Sequence, residues 1–101
     1  MKEIGIGIVG GGYMGKAHAV AMSAVGAVFN TNLRPRLEMV CGSSPKTSNK
    51  YCEAYGFKRA ANTWEELVKD KKVEAVIIAS PQSTHLKIVL MALSLGKPVF
   101  C

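Results

Sequence analysis

Residues 4–15 read IGIGIVGGGYMG, and this stretch decides the fold class of the 101-residue chain. Apolar residues alternate with glycine over Ile4–Val9, and the run then meets Gly10-Gly11-Gly12. A short apolar run stopped by glycines is typical of a buried strand that enters a tight turn. Beyond the turn, a stripe at helical spacing runs to Gly26 and consists of Met14, Ala17, His18, Ala21, Met22 and Val25. The segment therefore predicts a strand, a glycine-rich turn and a helix.

The rest of the chain repeats this alternation of strand and helix. The predicted elements are a loop at Phe29–Arg36, a strand at Leu37–Cys41, a helix at Lys46–Tyr55 that ends at Gly56, a helix that begins at Thr63, a strand at Val73–Ala79, a helix with the apolar stripe Leu86, Val89, Leu90 and Leu93, and a strand at 97–101. Thr63 and Glu66 have the spacing of a capping box. Strands that alternate with helices form parallel sheets through right-handed crossovers. We therefore expect an α/β fold, a doubly wound parallel sheet of the Rossmann type, with residues 1–101 forming one domain.

The turn after the first strand carries a specific chemistry. Gly10-Gly11-Gly12-Tyr13-Met14-Gly15 is a GxGxxG motif that follows a strand and opens a helix. In this context the first glycine permits the turn, the second lets the backbone approach a pyrophosphate, and the third lets helix and strand pack together. The phosphates then bind the free N–H groups at the start of the helix. The motif predicts a dinucleotide site, and a glycine-rich turn without a ligand is the alternative.

The end of the second predicted strand lacks the acid that would bind the adenosine ribose of NAD. The turn there is Gly42-Ser43-Ser44-Pro45-Lys46. An acid would repel a 2′-phosphate, whereas serine hydroxyls and a lysine can bind one. The turn therefore favours NADP over NAD.

Composition excludes several other classes. The formal charge of +6 favours an anionic partner, but the basic residues are scattered and not interleaved with aromatic residues, so no nucleic-acid surface is expected. No apolar run is long enough to span a membrane, and no secretory signal is visible. Cys41, Cys52 and Cys101 are an odd number without metal-ligand spacing, which indicates free thiols in the cytoplasm and no zinc site.

Three stretches together resemble one enzyme family. They are GIGIVGGGYMGKAH at 5–18, WEELVKDKKVEAVIIASPQSTH at 64–85 and ALSLGKPVFC at 92–101. They are similar to the N-terminal cofactor domain of the glucose–fructose oxidoreductase/inositol dehydrogenase (Gfo/Idh/MocA) family. The resemblance implies an NAD(P)-dependent oxidoreductase that transfers hydride to or from a CH–OH group of a sugar, cyclitol or related polyol. In that family a Glu-Lys-Pro tripeptide with the catalytic lysine follows, and then a substrate domain. We therefore expect no catalytic residue in this chain and no turnover by it alone.

The resemblance also implies roles for individual residues. The pyrophosphate would be held by Gly10, Gly12, Tyr13, Met14 and Gly15. The adenosine ribose would face Ser43, Ser44 and Lys46. The path towards the nicotinamide would be lined by Ala79, Ser80, Pro81, Gln82 and His85, with helix-start packing as the alternative for His85. His18 is expected to be a buried structural residue and Lys97 a solvated one.

Two other functions stay open from the sequence. One is a stand-alone nucleotide sensor or assembly module, because a short sheet leaves apolar surface and a strand edge uncovered, which favours self-association. The other is a methyltransferase-like fold, which also has a glycine-rich first turn. That fold likewise expects an acid after the second strand, so Gly42 counts against it.

Overall fold

The computed structural model describes residues 2–10, 12, 16, 19, 21–22, 33–80 and 85–100. Within these residues the strands are β1 (Lys2–Val9), β2 (Leu33–Cys41), β3 (Arg59–Ala60), β4 (Ala75–Ile78) and β5 (Val99–Phe100). The helices are α1 (Pro45–Tyr55), α2 (Trp64–Lys69) and α3 (His85–Ser94). Between β1 and β2, Lys16, Ala19, Ala21 and Met22 are helical, as the stripe predicts.

The five strands form one sheet in the order β3-β2-β1-β4-β5, and every neighbouring pair is parallel. β1 lies at the centre, paired with β2 on one side and with β4 on the other. The chain runs from the central strand β1 to β2 and then to the edge strand β3, and it returns to the other side of β1 to form β4. The doubly wound Rossmann sheet predicted from the sequence is therefore confirmed. Ligands of such sheets bind beyond the carboxyl ends of the strands where the strand order reverses.

Helices cover both faces of the sheet, and β4 shows this most directly. Val76 and Ile78 pack into the core cluster that contains the buried residues of α2 and α3. Ala75 and Ile77 pack into a second cluster, against α1 and the helical residues after β1. All four side chains are buried. Burial on both faces explains why this strand is a continuous apolar run in the sequence.

The loop predicted at Phe29–Arg36 is wrong at its carboxyl end, because β2 already begins at Leu33. Pro35 lies within the strand, opposite Ile4 of β1. β3 pairs with β2 only at Met39 and Val40, so at Pro35 the strand has a neighbour on one side alone. A residue without an N–H is tolerated at such an edge. Residues 29–32 lie outside the described residues.

The predicted helix end at Gly56 and the predicted helix start at Thr63 are confirmed, and the first of these helices begins with an unpredicted cap. Ser44 caps α1 by accepting from Thr47 N at 3.2 Å, and Gly56 ends that helix with φ 79°. Thr63 caps α2 by accepting from Glu66 N at 3.2 Å. The Glu66 carboxylate reaches back as predicted, but it accepts from Asn62 N at 3.3 Å. β3 itself, two residues long, was not predicted.

The apolar stripe predicted for α3 is wrong at its three leucines, and only its fourth member, Val89, packs against the core. Leu86, Leu90 and Leu93 are 68%, 59% and 58% exposed, whereas Ile88 and Ala92 are fully buried. Because α3 is apolar almost all round, helical periodicity alone allows more than one buried face. The sheet selects the face of Ile88, and the leucines form an exposed apolar face.

Lys97 is not the solvated residue expected from the sequence. Its Nζ donates to Val68 O at 2.5 Å and to Asp70 O at 2.7 Å, at the carboxyl end of α2. Asp70 also accepts two hydrogen bonds from Arg59, at 2.7 and 2.8 Å. This ion pair with Arg59 lowers the pKa of Asp70 to about 2. Lys97 therefore joins β5 to a charged cluster that closes the end of α2.

Candidate functional site

The carboxyl ends of β1, β2 and β4 open into a cleft of about 670 Å³. Its lining begins with the residues that end these strands or follow them directly, and these are Val9, Gly10, Gly12, Cys41, Gly42, Ser43, Ala79 and Ser80. The cleft thus lies at the place where the strand order reverses, which is where the GxGxxG motif predicts a ligand.

Gly10 lets the ends of β1 and β4 approach each other. Its φ is 98°, a conformation that other residues rarely adopt. A Cβ at this position would lie 2.6 Å from the carbonyl carbon of Ala79. A backbone hydrogen bond of 2.7 Å from Ala79 N to Val9 O holds this approach, and another of 2.7 Å from Gly10 N to Cys41 O joins the end of β1 to the end of β2. Gly10 is therefore required for the floor of the cleft.

Gly12 has the opposite surroundings. It is exposed, it lines the cleft, and no atom lies within 4 Å of the place that a Cβ would occupy. Its carbonyl accepts from Lys16 N at 2.9 Å, which is the hydrogen bond of a helix that begins here. Open space beside a helix start fits the close approach of a pyrophosphate to the backbone.

The turn after β2 is built around α1. Gly42 N donates to Ser48 Oγ at 2.8 Å, and Ser48 in turn donates to Ser44 O at 3.0 Å. The Ser44 hydroxyl is used as the helix cap, and Lys46 is exposed and does not line the cleft. Of the three residues predicted at the ribose, only Ser43 lines the cleft.

His85 begins α3 and is half-buried. Its Nε2 lies 2.8 Å from Ser80 O, so it ties the helix to the residue that follows the end of β4. His85 does not itself line the cleft. Five other predicted site residues lie outside the described residues, and these are Tyr13, Met14, Gly15, Pro81 and Gln82. His18 lies outside them as well.

One wall of the cleft was missed by sequence reasoning. It consists of Asn62, Thr63, Trp64 and Glu65, which lie between β3 and the first turn of α2. Ala61 N donates to Val40 O at 2.9 Å, which extends the pairing of β3 with β2 and brings this segment beside the end of β2. No local sequence motif predicts that β3 pairs with β2. Trp64 packs against the core and also lines the cleft.

Two further residues complete the apolar lining, Tyr51 from α1 and Ile88 from α3. The Tyr51 ring stacks on Tyr55 with centroids 5.4 Å apart, which fixes its position. An apolar cleft with a few polar groups is typical of sites for organic ligands. No group of three or more potential metal ligands occurs among the residues that the structure describes.

The Cys41 thiol at the end of β2 is not an activated nucleophile. Burial raises its pKa, a hydrogen bond with Ser48 lowers it, and the charges of Glu65 and Glu66 raise it further. A thiol with a raised pKa stays protonated near neutral pH. Cys41 and Cys52 are both free. Neither the raised pKa nor the burial of Cys41 therefore suits a catalytic nucleophile.

A sequence model of the Gfo/Idh/MocA family, described as an oxidoreductase family with an NAD-binding Rossmann fold, matches residues 4–101. The chain belongs to this family. Its expected fold and its assignment as the NAD-binding domain of an oxidoreductase are thereby confirmed.

Individual Gfo/Idh/MocA relatives agree in sequence and structure. Levoglucosan dehydrogenase of Pseudarthrobacter phenanthrenivorans is 28% identical over all of this chain and 26% of the relative. Inositol 2-dehydrogenase of Rubrobacter xylanophilus is 33% identical over 99% of this chain and 27% of the relative. The structure of levoglucosan dehydrogenase in complex with NADH and L-sorbose superposes with a TM-score of 0.94 at 27% identity, over 98% of this chain and 27% of that one. The chain thus spans about a quarter of the length of these relatives.

Within the described residues, no helix has the length and apolar character needed to cross a membrane.

Proposed function

We propose that residues 1–101 are the dinucleotide-binding domain of a longer dehydrogenase that acts on a CH–OH group of a sugar, cyclitol or related polyol. The observation that carries the proposal is the cleft at the strand ends, with Gly10 closing its floor and Gly12 leaving it open beside a helix start. The relatives named levoglucosan dehydrogenase and inositol 2-dehydrogenase support the substrate class. The substrate would bind to a second domain outside residues 1–101.

The residues of this chain would hold the two halves of the cofactor at different places. Gly12 would lie under the pyrophosphate, and Ser43 would face the adenosine ribose. Ala79 and Ser80, at the end of β4, would line the path towards the nicotinamide. The bound cofactor would supply the hydride acceptor or donor, and this chain would orient its reactive ring. Tyr13, Met14, Gly15, Pro81 and Gln82 stay predictions for the same surfaces.

The proton of the reaction would be transferred by a residue outside this chain. Among the described residues that line the cleft, the Cys41 thiol has a raised pKa and Ser43 has no base beside it in any described contact. Glu65 begins α2 beside the end of β2, whereas the path towards the nicotinamide would follow the end of β4. His85 lies outside the lining and is hydrogen-bonded to Ser80 O. A lysine in the Glu-Lys-Pro tripeptide of the family, which follows the stretch that resembles 92–101, would take this role.

We further propose NAD as the cofactor. The sequence-based preference for NADP rested on Ser43, Ser44 and Lys46. The Ser44 hydroxyl caps α1, and Lys46 is exposed and does not line the cleft, so only Ser43 remains to contact a 2′-phosphate there. The levoglucosan dehydrogenase structure that contains NADH supports the same choice.

The free thiols of Cys41 and Cys52 support a cytoplasmic location.

The test uses the single tryptophan of the chain. Trp64 lines the cleft, so a dinucleotide bound there will change its fluorescence directly. Titration of the chain with NADH should quench Trp64 emission and sensitise emission from the nicotinamide with the same saturation curve. An unchanged Trp64 spectrum at millimolar NADH would contradict the proposal. Steady-state oxidation of myo-inositol by the chain alone would instead contradict the placement of the proton-transfer residue outside it.

One observation favours a second function, a nucleotide-responsive assembly module. Leu86, Leu90 and Leu93 of α3 and Phe100 of β5 are exposed, and apolar area of this kind favours association. Sedimentation velocity at several chain concentrations, with and without NADH, distinguishes the two functions. A dissociation constant for self-association that changes with NADH would favour the assembly module. Self-association that is indifferent to NADH would leave the dehydrogenase proposal in place.

A further inference from the structure

Glu65 lines the same cleft as the end of β2, although it comes from a different element of the fold. Dinucleotide-binding domains that use NAD place an acid at the end of the second strand, where it binds the ribose 2′-hydroxyl. This chain has Gly42 and Ser43 there. Glu65 nevertheless lines the same cleft as these two residues.

The sheet topology explains how Glu65 comes to this place. β3 pairs with β2 at Met39 and Val40, next to the end of β2, and the hydrogen bond from Ala61 N to Val40 O continues the pairing by one residue. The chain then leaves the sheet and turns into α2, with Thr63 as the cap. Glu65 lies in the first turn of that helix, four residues after Ala61. The length of the connection therefore brings it to the edge of the cleft.

The Glu65 carboxylate forms no hydrogen bond or ion pair with the residues that the structure describes, although its side chain is half-buried. Its neighbour Glu66 accepts from Asn62 N, and the buried Glu38 is paired with two arginines. The negative charge of Glu65 acts on Cys41 at the end of β2, since it helps to raise the pKa of that thiol. A half-buried carboxylate that serves no partner in the fold is available to a ligand.

We propose that Glu65 selects NAD over NADP by presenting a carboxylate to the 2′ position of the adenosine ribose, in place of the acid absent after β2. This inference rests on the proposed function. A 2′-hydroxyl donates a hydrogen bond to a carboxylate, and hydrogen bonds to charged groups are the stronger kind. The 2′-phosphate of NADP carries negative charge and is repelled by the same group. Lys46 at the other side of the turn is exposed, so its attraction is screened by solvent.

The experiment compares the affinities of the chain for NAD⁺ and NADP⁺ by Trp64 fluorescence. Wild type should bind NAD⁺ more tightly. Glu65→Gln keeps the shape of the side chain and removes its charge, so the affinity ratio should move towards NADP⁺ by at least about tenfold. Glu65→Asp keeps the charge and should keep the preference for NAD⁺. Glu53→Gln is the matched control, because it removes the same charge from the exposed surface of α1 and should leave the ratio unchanged.

A second measurement needs no variant. Glu65 is only half-buried and lines an open cleft, so salt screens part of its repulsion of a 2′-phosphate, and the wild-type preference for NAD⁺ should shrink between about 0.05 and 0.5 M NaCl. A preference for NADP⁺ in wild type, a Glu65→Gln chain with an unchanged ratio, or a ratio indifferent to salt would each overturn the role of Glu65 and leave dinucleotide binding intact. Failure of wild type to bind either dinucleotide would overturn the proposed function, and this inference with it.

Discussion

Two alanine substitutions in one motif should have opposite consequences. Gly10→Ala places a Cβ 2.6 Å from the carbonyl carbon of Ala79 and 2.7 Å from Ser80 N, and both contacts are with backbone that cannot rotate away. It also forces alanine into a φ of 98°. Gly12 has no positive φ, and a Cβ there meets no atom within 4 Å. The first change should therefore damage the fold, and the second should damage only the binding of a ligand.

The expected magnitudes are well separated. A left-handed conformation costs a residue other than glycine about 1–2 kcal/mol. Overpacking against neighbours that cannot relax adds about 1–3 kcal/mol. Gly10→Ala should thus lose roughly 2–5 kcal/mol, out of a total stability of about 5–15 kcal/mol for a domain of ordinary size. At about 4–8 °C per kcal/mol, the melting temperature should fall by at least about 8 °C. Gly12→Ala should stay within about 0.5 kcal/mol of wild type, as surface substitutions do.

Thermal unfolding followed by circular dichroism measures the first effect, and NADH titration of Trp64 fluorescence measures the second. Gly12→Ala should bind NADH at least about tenfold more weakly, because its methyl group occupies the space that a pyrophosphate needs. A Gly10→Ala chain that melts within about 2 °C of wild type would show that β1 and β4 do not approach as described. Wild-type NADH affinity in Gly12→Ala would show that the phosphates bind elsewhere.

Three further predictions test the packing and charges around the site. Ile88→Ala leaves a cavity in the core and should cost about 2–5 kcal/mol in the free energy of urea unfolding. Leu90→Ala, on the exposed face of the same helix, should cost under about 0.5 kcal/mol. Equal costs would contradict the assigned buried face. The hydrogen-bonded ion pair with Arg59 lowers the pKa of Asp70 to about 2, below the unfolded value of about 3.9, so the carboxylate stabilises the fold above about pH 4 and loses this effect as pH falls towards 2. Asp70→Asn should therefore lose about 1 kcal/mol at pH 7, after allowance for screening at the partly exposed pair, and clearly less at pH 2, where the folded carboxyl is about half protonated. The free energy of unfolding against pH measures this difference. Lys97→Ala should lose about 1–3 kcal/mol because two carbonyls at the end of α2 lose their donor. An unchanged urea midpoint would show that Lys97 is solvated and does not form these hydrogen bonds.

Elements with local signals were predictable from the sequence. The helix α1 carries its own cap at Ser44 and its own stop at Gly56, and β4 is a continuous apolar run. The start of β2 was not predictable in this way, because the tolerance for Pro35 depends on how far β3 extends along β2. The buried face of α3 was not predictable either, since Ile88 and Leu90 are equally apolar and only the position of the sheet distinguishes them.

In the candidate site, too, residues with a local sequence signal were predictable and those placed by tertiary contacts were not. Gly10, Ser43, Ala79 and Ser80 follow strands that the sequence predicts, and all four line the cleft. Ser44 was assigned to the ribose because hydroxyls bind phosphates, but the same hydroxyl is also a good helix cap, and α1 uses it. The sequence offers the Ser44 hydroxyl two uses, and the path of the turn into α1 decides between them.

The cleft has a floor made of backbone at the strand ends and walls made of side chains, and this difference bears on cofactor choice. The floor of the cleft is held by three backbone hydrogen bonds at the strand ends, from Gly10 N to Cys41 O, from Ala79 N to Val9 O and from Ala61 N to Val40 O. Bonds of this kind depend on the sheet and hardly at all on side-chain identity, apart from glycine at position 10. Side chains that follow the strands, such as Ser43 and Glu65, can therefore change without disturbing the floor. Under the proposal, an acid that selects NAD does not have to follow β2, because the pairing of β3 with β2 brings the start of α2 to the same cleft.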